Sequence, residues 1–393
     1  MRVRSFNNWI KNNISEIKDL NLHRKLIEIS SSMGPEISIK DKIYYQFASN
    51  NYLGLTIDSS TIKSSISSTI KYGTGTGGSR LVTGTSDLHS KLEKEIAKFK
   101  KTEDSIVFSS GYLAGIGTIS SIMDKEDVIF SDELNHASLI DGARLSKSKV
   151  VIYKHADMED LESKLKKNKS FKGKKMILTD SVFSMDGDIA PLDIIVKLSK
   201  KYNCISMIDE AHATGVLGQN GSGASEMFKV QKKIDICLGT LSKAIGSVGG
   251  YVAGSKDLID YLKNKARSFI FDTSLPAGSL SASLKAIDII KNRPNLRNQL
   301  NENIKYFQSY LDSSSFNYLK FSTPIIPIII GDEKKALTFS KFLLQNQIYV
   351  PAVRPPSVPK GESRIRVTLM SNHKKRHIDK LIETMKKLEK NTF

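Results

Sequence analysis

Short apolar runs recur along much of the chain, separated by longer stretches in which apolar residues return at helical spacing. The runs are SIVF from 105, DVIF from 127, KVVIY from 149, KMILT from 175, CISMI from 204, DICL from 235 and GGYVAG from 249. Such alternation predicts an α/β fold, with a mostly parallel sheet covered by helices on both faces. One helix is readable in detail. Ser86 and Asp87 supply a cap, and Leu88, Leu92, Ile96 and Phe99 then form one apolar face.

From 286 the pattern changes to a long helical stretch, then FSTPIIPIII from 321, a helix near 334–346, a Pro-rich turn at 351–359 and RIRVTLM from 364. This predicts a smaller α+β C-terminal domain over 286–393, after a large domain over 46–285. Residues 1–45 predict a helical arm and a short hairpin. No internal repeat or low-complexity linker interrupts the order.

A chain of 393 residues is long enough for two domains. Its 59 Lys and Arg exceed its 41 Asp and Glu by 18. That excess suits a nucleic-acid binder, a membrane-surface protein or an enzyme with acidic substrates. The lysines are scattered through segments such as 164–175 and 374–390, which read as solvated faces, and no nucleic-acid-binding motif accompanies them. No nucleic-acid partner is therefore expected. Cys204 and Cys237 fall in predicted strands, so buried thiols are expected rather than a disulfide or a metal site. No run approaches the roughly 18 apolar residues of a membrane span. The start, MRVRSFNNWIKNN, is basic without an apolar signal core and is followed by Glu16 and Asp19, so a cytoplasmic location is expected, with an organellar one left open.

Candidate chemistry gathers where predicted strands end. The cluster GTGTGG formally matches a dinucleotide fingerprint through Gly73, Gly75 and Gly78, but a helical stretch precedes it and Glu93 and Glu95 lie inside a helix. MIDEAHATGVLG, from 207, is more informative: an apolar strand ends in Asp209, with His212 close behind. In an open parallel sheet ligands bind at the carboxyl ends of strands. A carboxylate there keeps a pyridine nitrogen protonated, although a capping Asp and a core His would read the same way. GTLSKAIGSVGG, from 239, places Lys243 among small residues, where a desolvated amine suits covalent bonding to a carbonyl, or a loop lysine suits solvent. Thr240 and Ser242 offer donors for a phosphate. SSGYLAG, from 109, opens a helix whose N-terminal amides suit the same phosphate, and SDELNHASLIDG, from 131, presents His136 either to stack on a ring or to cap a helix.

Taken in order, SNNYLGL from 49, GTGGSRLVTGTSDLHSKLE from 75, SSGY, NHAS, DSVFSMDGDIAPL from 180, DEAHATG, TLSKAIGSVGGY and RPPSVPKGESRIRVTL from 354 resemble the α-oxoamine synthases, pyridoxal-phosphate enzymes of fold type I. The resemblance implies a seven-stranded sheet and a homodimer. It makes Lys243 the lysine that carries pyridoxal 5'-phosphate, Asp209 the partner of the pyridine nitrogen, His212 and Ser184 neighbours of the ring oxygen, and His136 the stacking residue. Gly111, Tyr112 and Thr240 would hold the phosphate, joined by Thr273 from the dimer partner. Lys243, His136, Asp209 and His212 are thus the expected catalytic set. Arg366 matches the arginine that grips an amino-acid carboxylate, with Asn50 helping. Within the family, Arg354-Pro355-Pro356 points to a member that condenses L-alanine with a pimeloyl thioester, on CoA or on acyl-carrier protein. Glycine-using members usually lack it. Arg24 and Ser357 match positions that contact the acyl substrate. Such donors are anionic, so the basic surface would steer them. The chain departs from the family at Gly115, where asparagine is frequent, at Asp272, where a small hydroxyl residue is usual, and at Ala277, where proline is usual. Asp272 is expected to face away from the phosphate or to pair with a base such as Arg267. Intact Lys243, Asp209, His212 and Arg366 argue against a catalytically silent partner subunit.

Overall fold

All seven apolar runs pair into one sheet among the described residues, 5–390 of a computed structural model. Strands run parallel from the edge strand Lys149–Tyr153 through Val128–Asp132, Lys175–Asp180 and Ile205–Asp209 to Ile236–Thr240. Gly250–Gly254 then runs antiparallel between Ile236–Thr240 and Asp104–Phe108. Val128–Asp132, Ile236–Thr240 and Gly250–Gly254 are buried at every residue, because helices cover both faces and leave no side for polar alternation. Lys149–Tyr153 lies at the edge and is largely exposed. Ile106, Ile129, Leu178, Met207, Leu238 and Val252 form the core with Ala114, Ile119, Leu139 and Leu262 from helices. The helix Asp87–Lys100 buries Leu88, Leu92, Ile96 and Phe99 as its spacing requires. Its capping box uses His89 in place of the usual acid, with the Ser86 N–H donating to His89 Nδ1.

This sheet belongs to a unit formed by Asn50–Glu302 and Met370–Asn372. The expected boundary at 286 falls inside the helix Ala277–Asn292, which packs on Ser59–Tyr72 and Asp87–Lys100 of the same unit. The long helical stretch is two helices, Ala277–Asn292 and Asn295–Leu311, broken where Pro294 removes a backbone donor. The second unit contains the described residues up to Ser49, Asn303–Leu369 and the described residues from His373 on. Here the hairpin Glu36–Ile39 and Lys42–Gln46 gains Ile348–Tyr349 as a parallel third strand. A separate antiparallel sheet has Ser363–Thr368 between Ile325–Gly331 and Ala352–Val353. The arm therefore groups with the C-terminal segment.

The parallel strands present Asp132, Asp180, Asp209 and Thr240 at their carboxyl ends, along one edge of the large sheet.

Candidate active site

Lys243 sits in a compact loop after Ile236–Thr240, closed by Gly246 N–H to Lys243 O and Ser247 N–H to Leu241 O. Its Nζ lies 2.8 Å from His212 Nε2. His212 Nδ1 lies 2.5 Å from the Tyr52 hydroxyl, which donates to Asn50 Oδ1 at 3.2 Å. A single proton on Nδ1 satisfies this order of contacts, with Lys243 donating into Nε2. The imidazole is therefore fixed from both sides, and Asn50 is tied to it through Tyr52.

Asp209 ends its strand buried, with its carboxylate accepting the Ala211 N–H at 2.8 Å. Burial raises its pKa, opposed by the charge of Lys243 and by that N–H. Asp180 is its register partner on the neighbouring strand. Burial and the Asp209 charge raise Asp180 well above the carboxylate range, so a second negative charge beside Asp209 is disfavoured. Asp209 then remains as a desolvated carboxylate whose best partner is a cation.

His136 caps the helix Ala137–Ser146 through Nδ1, which lies 2.8 Å from Ser138 Oγ and accepts the Ser138 N–H. Its own N–H donates to Asp180 Oδ2 at 2.7 Å. Burial lowers its pKa against the pull of Asp209. Capping and stacking are compatible here, because the cap uses only the edge of the ring. Asn135 fixes the loop by donating to Leu178 O and accepting the Asp180 N–H. Gly115 explains itself at this point: a Cβ there would stand 3.1 Å from Ser138 Cβ, so a larger residue would push the group that holds His136.

Gly111 and Tyr112 begin the helix Gly111–Ile122, ahead of its first intrahelical bond from Ala114 N–H to Ser110 O. Their amides are therefore the ones a helix start offers an anion. The Tyr112 side chain is half-exposed and donates to Asp141 Oδ2, leaving its backbone as the candidate contact. Thr240 approaches Gly111 closely, but its hydroxyl donates to Gly249 O and lies 2.8 Å from Ser242 Oγ. Gly250 is required for this approach, since a Cβ would meet Ser110 O at 2.4 Å and Gly111 N at 2.6 Å. Ser184 is half-buried in the hairpin 181–190 that follows Lys175–Asp180.

Thr273 is exposed and pairs with Ser79 in an isolated bridge. Asp272 beside it accepts from Ser109 Oγ and from the Thr273 N–H. Arg267, its expected partner, instead lies over the Phe271 ring at 4.7 Å. A hydroxyl at 109 within reach made the base unnecessary.

Arg24, Arg354, Ser357 and Arg366 lie in the other unit. Arg24 donates to Pro355 O and Arg354 to Asn21 O, while the Ser357 N–H donates to Arg354 O. Burial and then repulsion from Arg24 lower the Arg354 pKa. Arg366, in the central strand Ser363–Thr368, is nearly buried and donates to Thr368 Oγ1 at 2.9 Å.

Sequence reasoning passed over Tyr52 and Asp180. Tyr52 carried no signal beyond its place in SNNYLGL, whereas Asp180 closes an apolar run just as Asp209 does. The donor set fits pyridoxal phosphate: a buried carboxylate in want of a cation, an amine beside a fixed imidazole, a ring-sized His136, and helix-start amides with Thr240 and Ser242. The described residues contain no cluster of metal-ligating side chains.

A family model described as aminotransferase class I and II matches residues 42–385. The 8-amino-7-oxononanoate synthase of Lysinibacillus sphaericus is 50% identical over 384 residues, covering 98% of each chain. Among solved structures, serine palmitoyltransferase from S. paucimobilis superposes with a TM-score of 0.93 at 28% identity, over 100% of this chain and 99% of that one. An 8-amino-7-oxononanoate synthase from Francisella tularensis gives a TM-score of 0.77 at 31% identity, over 88% and 98%.

Proposed function

Because the chain belongs to the aminotransferase class I and II family, we propose that it works as an α-oxoamine synthase that condenses L-alanine with a pimeloyl thioester. The products are 8-amino-7-oxononanoate, carbon dioxide and the released thiol of CoA or acyl-carrier protein. Its cofactor is pyridoxal 5'-phosphate, which when bound supplies an electron-withdrawing ring that stabilises negative charge at the amino acid's Cα.

The observation that carries this proposal is the contact of Lys243 Nζ with His212 Nε2 at 2.8 Å, beside buried Asp209. Lys243 is the amine that holds the cofactor covalently and, once the amino acid has taken its place, removes the α-proton. Asp209 keeps a proton on the ring nitrogen. His212 and Ser184 orient the ring oxygen, and His136 covers the ring face. Gly111, Tyr112 and Thr240 hold the phosphate, with Ser242 as a further hydroxyl. Arg366, assisted by Asn50, grips the amino-acid carboxylate with two parallel hydrogen bonds. Arg24, Arg354 and Ser357 receive the acyl chain, whose free carboxylate would relieve the repulsion between the two arginines. A net charge of +18 favours encounter with anionic thioesters.

The working form is a homodimer in the cytoplasm. Ile62, Ile66 and Ile70 form an exposed apolar stripe on the helix Ser59–Tyr72, and Leu81 and Val82 are exposed beyond it, Ile70 by 81% and Val82 by 79%. Water-exposed apolar surface of this kind marks an interface. Thr273 then reaches the phosphate of the partner subunit. No described helix is long and apolar enough to cross a membrane.

Purified protein supplied with alanine, glycine or serine and a series of acyl thioesters tests the assignment by product mass. Alanine with a pimeloyl thioester should give the highest turnover. Greater turnover of glycine with acetyl-CoA would overturn it.

A further inference from the structure

The imidazole of His155 is held at both nitrogens, in a part of the fold to which the reaction assigns nothing. Nδ1 lies 2.9 Å from Asp132 Oδ1 and Nε2 lies 2.8 Å from Asp188 Oδ2. His155 follows the edge strand Lys149–Tyr153, Asp132 ends Val128–Asp132, and Asp188 belongs to the hairpin 181–190. Three segments therefore meet on one ring.

Both carboxylates set loops that lead to the active site. Asp132 accepts the Leu134 N–H through Oδ1 and the Ala156 N–H through Oδ2, each at 2.9 Å, which shapes the turn running into Asn135 and His136. Asp188 closes the hairpin through its carbonyl, which accepts the Phe183 N–H, and Phe183 sets its ring edge-on to His155 at 4.3 Å. Ser184 is the next residue. The other Asp188 oxygen, Oδ1, is buried with no hydrogen-bond partner, so the ring Nε2–H of His155 is what compensates this carboxylate.

A neutral imidazole carries one N–H and would turn a lone pair toward one of the two carboxylates. Burial alone would lower the His155 pKa, but the hydrogen bonds to Asp132 and Asp188 outweigh it and raise the value to about 10. The remaining charged neighbours act on the backbone: Glu133 Oε1 accepts the His155 N–H and Asp160 Oδ2 accepts the Lys154 N–H.

We propose that His155 is a positioning residue, an imidazolium tie that fixes the His136 loop against the Ser184 hairpin. The tie rests on the assignment of His136 and Ser184 as neighbours of the cofactor ring. It acts by geometry, touching neither substrate nor cofactor.

In the holoenzyme, His155→Gln should shift the cofactor absorbance band and lower kcat by up to about 10²-fold, the cost of a misplacement near 1 Å, with the KM for the amino acid nearly unchanged. The folded pKa lies above the ordinary 6.5, so the tie stabilises fully below about pH 6.5 and is lost as pH rises through about 10. The stability difference between wild type and His155→Gln should shrink across that window. Ser184→Ala and His136→Asn serve as references. If neither moves the absorbance band, the ring assignment fails and the tie with it; if they do and His155→Gln leaves band and kcat unchanged, the tie alone is wrong. Wild-type holoenzyme labelled with 15N at its histidine rings supplies a check that needs no variant. Both His155 nitrogens should be protonated at pH 8.5, and a neutral ring there would overturn the proposal.

Discussion

Replacing Lys100 by methionine should destabilise the large unit severely. Lys100 Nζ lies 2.5 Å from Glu210 Oε2 and 2.9 Å from Thr214 Oγ1, and also donates to Ser222 O. The side chains of the pair are 1% and 0% exposed. Burial pushes the Lys100 ammonium down, and the Glu210 charge more than reverses it. Methionine fills much of the volume but leaves the Glu210 carboxylate desolvated, with the Ser225 N–H as a remaining donor. Breaking a buried pair in this way costs about 3–5 kcal/mol. At about 2–4 °C per kcal/mol for a domain of this size, Tm should fall by roughly 6–20 °C. Lys91 supplies the control. Its contact with Asp87 is nearly as short, 2.7 Å, but the side chains are 62% and 50% exposed, so solvent screens the pair and Lys91→Met should leave Tm almost unchanged. Adding Glu210→Gln to Lys100→Met should recover a large part of the loss, because no buried charge is then left alone. Thermal unfolding followed by circular dichroism measures all three. Similar losses for Lys100→Met and Lys91→Met, or no recovery in the double variant, would refute the reasoning.

Tyr52→Phe removes the hydroxyl beside His212 Nδ1. A lost hydrogen bond worth about 1–1.5 kcal/mol should lower kcat about tenfold, and unchanged turnover would show that His212 needs no such support. Asp209→Asn should cost on the order of 10²-fold or more in kcat, the scale of deleting an electrostatic partner of developing charge, with the fold retained by circular dichroism. Ile70→Asp places a charge in the apolar stripe of Ser59–Tyr72 and should give a monomer by light scattering, with weakened cofactor retention as the proposed reach of Thr273 into a partner's site is lost.

The inner strands were legible because both faces of the sheet are buried there, so each appears as an unbroken apolar run with no polar phase to decode, and the edge strand Lys149–Tyr153 carries the same apolar run although it is largely exposed. Asp209, His212 and Lys243 were legible for a related reason, since chemistry collects where such runs end. Tyr52 was not, because its contact with His212 joins positions 160 residues apart and no periodicity reports it. The partner of Asp272 was hidden for the same cause: Ser109, whose hydroxyl donates to it, lies 163 residues away. Lys100 follows Leu92 and Ile96 at helical spacing, on the buried face, but a lysine among many lysines reads as solvated until Glu210 is seen against it. His155 was silent in sequence, because a histidine gains its charge only from the two carboxylates that the fold brings to it.

Borohydride reduction of the holoenzyme, followed by peptide mapping, tests most directly whether Lys243 carries the cofactor. The reduced cofactor should be recovered on the peptide that contains Lys243 and on no other. Recovery on a different lysine, with buried Lys100 the most telling case, would contradict the site as described.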